Sequence, residues 1–109
     1  MQVKKISAKE LEKQVASDSR DLVAVFIANW CGYSQELMRE LERNAPDINL
    51  CEVDISDTED RAWDIYGIKV VPTALYLREG KEVARKTCSL DGLRVKDLKA
   101  LVASCAKPL

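Results

Sequence analysis

Seven consecutive apolar residues, Leu22-Val23-Ala24-Val25-Phe26-Ile27-Ala28, constrain this chain more than any other stretch. The run is rich in β-branched residues and unbroken by polar ones, the signature of a strand covered on both faces and hence of a sheet's centre. It is far too short to span a bilayer. Immediately after it come Asn29-Trp30-Cys31-Gly32-Tyr33, and then Leu37, Met38 and Leu41 return at helical spacing as far as Asn44 and Pro46. A buried strand therefore runs into a helix that begins within a residue or two of Cys31.

The flanking sequence supplies layers to cover such a strand. A short strand near Val3 leads into Ser7-Ala8-Lys9-Glu10, which has capping-box spacing, and Ala8, Leu11 and Val15 then share one helical face. Ile48 to Ile55 reads as a strand. Thr58 to Tyr66 reads as a short helix with Ala62 and Ile65 inward and Gly67 as its stop. Thr73 to Leu77 and Glu82 to Cys88 read as strands around the turn Arg78-Glu79-Gly80-Lys81, where Gly80 supplies a positive φ. The last helix is predicted to be capped near Asp91 and to carry Leu98, Leu101, Val102 and Cys105 on one stripe. The order β-α-β-α-β-α-β-β-α predicts an α/β domain with parallel neighbours in its first half and an antiparallel hairpin in its second. No repeat, low-complexity tract or linker divides residues 1–109, so one domain is expected.

What the chain lacks narrows its chemistry. With no histidine among 109 residues, there is no imidazole base and no Ser-His or Cys-His pair. Seventeen basic and eighteen acidic residues give a net charge of −1, which provides no field for nucleic acid or an anionic membrane. Residues 1–6 show no signal-peptide core, and the expected address is cytoplasmic. Cys31, Cys51, Cys88 and Cys105 are too scattered for a zinc knuckle, and the acidic group Asp54, Asp57, Glu59 and Asp60 does not match a Ca²⁺ loop. Neither a metal nor a tightly bound cofactor is expected.

Cys31 stands apart from the other thiols because it falls at a helix N-terminus. There the unpaired N–H groups and the helix dipole favour a thiolate, the one route to an activated nucleophile that a His-free chain has open. Cys51, amid Leu50 and Val53, and Cys105, on an apolar stripe, read as small core residues.

Leu22 to Ser34, followed by Tyr66-Gly67-Ile68-Lys69-Val70-Val71-Pro72-Thr73 and the turn Glu79-Gly80, resembles the thioredoxin family over essentially the whole chain. The resemblance implies the thioredoxin fold, with Cys31 as attacking thiol facing a cis Val71–Pro72 bond. It also implies a substrate surface of Trp30, Gly32, Tyr33, Val71, Pro72 and Thr73, with the Val71 backbone pairing with an extended target segment. Thiolate attack on a partner's disulfide would give a mixed disulfide, which a second Cys three residues on would release. That position holds Ser34, whose hydroxyl forms no disulfide. Either Ser34 replaces a resolving Cys, trapping the partner, or the chain is a monothiol member whose adduct an external thiol resolves. The otherwise ordinary thioredoxin pattern favours replacement. The implied partners are disulfide-containing proteins and a thioredoxin reductase, the implied state a monomer.

Further departures from the pattern concern proton handling and thiol supply. Val25 stands where a buried Asp is usual, and Leu50 where its Lys partner is expected. Gly32-Tyr33 replaces Gly-Pro. Cys88, counted from Gly80, falls near a glycine that approaches the site in the family, which makes it a candidate alternative resolving thiol. Two other readings exist. Cys31-Gly32-Tyr33-Ser34 is close to the Cys-Gly-Phe-Ser of monothiol glutaredoxins, which use glutathione or a shared iron–sulfur cluster, although Trp30 and the Val-Pro-Thr segment do not fit them. A module that only binds peptides beside Pro72 is the non-enzymatic reading. Trp63 and Tyr66 are expected in the core or on a helix surface.

Overall fold

The computed structural model describes residues 3–18 and 20–105. Its elements follow the expected order: β1 (Lys4–Ile6), α1 (Ala8–Ser17), β2 (Leu22–Ile27), α2 (Gly32–Arg43), β3 (Leu50–Asp54), α3 (Ala62–Ile65), β4 (Thr73–Arg78), β5 (Lys81–Thr87) and α4 (Val95–Cys105). The strands form one sheet in the order β1-β3-β2-β4-β5, with β2 at its centre. Strands β1, β3 and β2 run parallel, whereas β4 is antiparallel to both β2 and β5.

The apolar run explains this arrangement, because every residue of β2 is buried. Leu22, Ala24 and Phe26 face a cluster with Leu11, Val53, Ile68 and Leu75. Val23, Val25 and Ile27 face the opposite cluster, built with Leu37 and Leu41 of α2 and Leu98 of α4. At the start of α1, Ser7 Oγ accepts from the Glu10 N–H while Glu10 Oε1 accepts from the Ser7 N–H, completing the expected capping box. Both central residues of the β4–β5 turn have positive φ, 52° at Glu79 and 77° at Gly80, as a two-residue hairpin turn matched to strand twist requires.

Two helices are shorter than their periodicity suggests. Instead of starting at Thr58, α3 is a single turn over Ala62–Ile65. Asp57 Oδ1 accepts from the Glu59 N–H and Asp60 Oδ1 from the Ala62 N–H, so side chains satisfy backbone donors that a longer helix would have used. Ala62 is buried as expected, but Ile65 points outward and is 56% exposed. Helix α4 starts at Val95 rather than near Asp91, since Gly92 adopts a φ of 86° that ends any helical path. Asp97 Oδ2 accepts from the Arg94 N–H at the true start.

The register also corrects the residue expected beside Val25. Val25 pairs with Glu52, and Leu50 pairs with Val23, so the neighbouring polar position is occupied by an acid. Glu52 is only 6% exposed. Burial raises its pKa, Lys5 opposes that shift, and Glu42 adds to it. The folded carboxyl thus holds its proton more tightly than the unfolded one. Its contribution to stability is full below the unfolded pKa of about 4.3 and is lost as pH rises through the folded pKa. Glu52→Gln should therefore gain nothing over the parent at low pH and a growing advantage toward neutrality. Urea unfolding at acid and neutral pH measures this, and a pH-independent difference would contradict it.

Candidate active site

The junction of β2 and α2 places Cys31 as N-cap of α2, and the Gln35 N–H donates to the Cys31 carbonyl at 3.0 Å in the first helical turn. No backbone amide caps onto the Cys31 side chain. Its Sγ is half-buried and donates instead to the Val71 carbonyl at 3.4 Å. The Val71–Pro72 bond is cis, and it connects the loop after α3 to β4. Thr73, the next residue, is fully buried and its Oγ1 donates to the Val70 carbonyl at 2.7 Å. A thiol and the backbone before Pro72 therefore face each other at one end of the two central strands, where Phe26 of β2 pairs with Thr73 of antiparallel β4.

Ser34 lies on the first turn of the same helix but points inward. It is fully buried, and its Oγ accepts from the Ala28 N–H at 3.2 Å. Cys31 thus meets solvent while position 34 sits beneath it, bonded to the end of the buried strand.

The surroundings are more aromatic than the sequence suggested. Trp30 is 54% exposed, stacks on Trp63 with ring centroids 6.3 Å apart and planes 9° off parallel, and donates its Nε1–H to the Ser56 carbonyl. Trp63 is therefore part of the site's wall, whereas Tyr66 turns inward against Phe26, 5.1 Å between centroids. Nothing in their three-residue spacing distinguishes these fates. Tyr33 reaches across to the loop between β5 and α4, where its hydroxyl donates to the Leu90 carbonyl at 2.6 Å. Its ring lies so close to Gly92 that a Cβ there would be 2.9 Å from Tyr33 Cδ1. Gly92, four residues beyond Cys88, thus lies directly against the Tyr33 ring.

Cys88 itself follows β5, and its N–H donates to the Pro72 carbonyl at 3.0 Å. Burial, and after it the charge of Cys31, raises its pKa. Cys51 is fully inside the sheet, where burial pushes its thiol up to about 12. Cys105 is half-buried against the α4 side of the core. Asp54, Asp57 and Asp60 each accept local backbone bonds and serve as loop and turn supports.

A family model described as Thioredoxin matches residues 2–104. The chain belongs to the thioredoxin family. It is 36% identical to the thioredoxin of Chlamydia trachomatis over 75 residues, 66% of this chain and 69% of that one. It is 34% identical to an H-type thioredoxin of Fagopyrum esculentum over 76 residues, which cover 66% of this chain and 65% of the relative. The matched segment thus spans about two-thirds of those thioredoxins' length. Among solved structures, a mutant thioredoxin from Halobacterium salinarum superposes with a TM-score of 0.74 at 26% identity, covering 99% of this chain and 94% of that one. A thioredoxin f2 of Chlamydomonas reinhardtii gives 0.77 at 21% identity over 98% and 99%, a likeness of fold. The mixed five-stranded sheet is a thioredoxin fold, and Trp30 to Ser34 occupy the segment that carries the family's active-site motif.

Proposed function

We infer that this chain is a thiol–disulfide oxidoreductase in which Cys31 attacks the disulfide of a protein substrate. The observation that carries the reading is the half-buried Cys31 thiol at the N-terminus of α2, facing the Val71 carbonyl beside cis Pro72. A thiolate there displaces one sulfur of the target and leaves a mixed disulfide on Cys31. Target backbone flanking the reacting cysteine pairs with Val71, between the exposed rings of Trp30 and Tyr33, with Gly32, Pro72 and Thr73 shaping the floor. A dithiol donor such as a thioredoxin reductase returns the protein to its reduced state. The chain works as a single domain and a monomer in the cytoplasm.

Ser34 leaves this cycle without its usual second half. An oxygen bonded to the Ala28 amide cannot take over the target's sulfur, so release through the helix is closed and turnover is slowed relative to a chain with Cys at 34. Whether Ser34 is native or a replacement, Cys31 does the same chemistry.

Timed alkylation with iodoacetamide near neutral pH tests the assignment. Cys31 should react at least about tenfold faster than buried Cys51 and than half-buried Cys105, as expected for a thiol activated at a helix N-terminus against one that is not. Slow and equal modification of all four cysteines would sink the reading.

A further inference from the structure

Three contacts converge on the loop that follows β5. The Cys88 N–H is bonded to the Pro72 carbonyl, one residue from the Val71 carbonyl that receives the Cys31 thiol. Two residues further on, the Leu90 carbonyl accepts from Tyr33, two residues from Cys31 on the other side. Gly92 then lies beneath the same Tyr33 ring, closer than any side chain would allow. The loop that begins at Cys88 is thereby tied to both segments that frame Cys31, and the Cys88 thiol is only partly buried. It is also weakly engaged, 3.4 Å from the Ser89 carbonyl. Ser34, by contrast, is fully buried and committed to Ala28.

We propose that Cys88 is the resolving thiol of this chain: its sulfur attacks Cys31 Sγ in the mixed disulfide and forms a Cys31–Cys88 disulfide. This rests on the reading of Cys31 as nucleophile. The bond between Cys31 and the target sulfur breaks, its electron pair leaves with the target, and the Cys88 proton ends on the departing thiolate. Over both steps the target disulfide becomes two thiols while Cys31 and Cys88 become one disulfide, which a dithiol donor later reduces. The loop 88–94 supplies the approach, with Gly92 at positive φ inside it.

The electrostatics order the two steps. Burial, and after it the charge Cys31 carries when it is ionised, raises the Cys88 pKa, which disfavours the Cys88 thiolate while Cys31 is the attacking group. Once Cys31 is bonded to the target its sulfur is neutral, that repulsion is gone, and Cys88 is easier to ionise at the moment it is needed.

The test is a single turnover with 5,5′-dithiobis(2-nitrobenzoate), one equivalent per reduced chain freed of other thiols, followed by tryptic mapping. Peptides Asp21–Arg39 and Thr87–Arg94 contain Cys31 and Cys88 as their sole cysteines. The proposal expects two equivalents of thionitrobenzoate and those peptides joined by a disulfide. Cys88→Ser should stop at one equivalent, with the Cys31 adduct lasting at least about tenfold longer. Adding Ser34→Cys to Cys88→Ser should restore the second release, which shows that the Cys31 adduct of the variant is still open to attack by a neighbouring thiol. A parent that stops at one equivalent with Cys88 free overturns the proposal while leaving Cys31 as nucleophile. Should Cys31→Ser release chromophore as fast as the parent, the underlying reading fails instead, and the proposal with it.

Discussion

Cys31→Ser is expected to lower the rate of protein disulfide reduction by at least about a thousandfold, the scale on which loss of a covalent nucleophile registers. The substitution is nearly isosteric, the side chain is half-buried at the margin of the core and its hydrogen bond to the Val71 carbonyl is long, so the fold should tolerate it. The loss is chemical. A serine hydroxyl needs a neighbouring base to become a nucleophile, and a chain without histidine offers no imidazole to take its proton. Thiolates need no such partner at a helix N-terminus, which is why this site can function with sulfur and not with oxygen. Insulin reduction followed by turbidity measures the effect. A variant retaining activity within about tenfold of the parent would mean that another thiol carries the reaction.

Phe26→Ala should be the most damaging single change to stability, costing about 3–5 kcal/mol. Phe26 is fully buried in the central strand, where it lies between Val53 of β3 and Thr73 of β4 in register. Its ring also packs on Tyr66, at an interplanar angle of 44°. The Tyr66 carbonyl in turn accepts from Arg85 of β5, 2.8 Å away, so α3 and the sheet edge both bear on this ring. Neighbours held by three strands and a helix have little freedom to collapse into the void. Against a total stability of about 5–15 kcal/mol, the loss should appear as a fall of about 15–25 °C in Tm. Calorimetry on parent and variant checks it. A shift under about 5 °C would show that the cavity had been refilled.

The fold was largely readable because its main determinants are local. The apolar run of β2, the Ser7–Glu10 box and the Glu79-Gly80 turn each announce an element through residues adjacent in sequence. The α3 and α4 boundaries are hidden in the sequence where short polar side chains compete with the helix, at Asp57 and Asp60, or where a glycine turns the chain, at Gly92. Such choices depend on which backbone donor an aspartate reaches, and residue type does not reveal it. Cys31 was legible from its place at a strand-helix junction, and Ser34 only through the resemblance to the thioredoxin family. The Trp30–Trp63 stack and the Tyr33–Leu90 bond were not, since each joins segments brought together only by the sheet. Glu52 beside Val25 is hidden for a related reason: strand register decides which residue of β3 lies there.

Both tryptophans of the chain belong to that one stacked pair next to Cys31. The protein's intrinsic tryptophan emission therefore originates entirely beside Cys31, with no background from elsewhere in the molecule. Thiol modification at Cys31, or a peptide laid beside Trp30, can be followed by fluorescence without attaching a dye. The same property gives unfolding curves a local meaning: they record the separation of α3 from the β2–α2 junction rather than events at the distant end of the sheet.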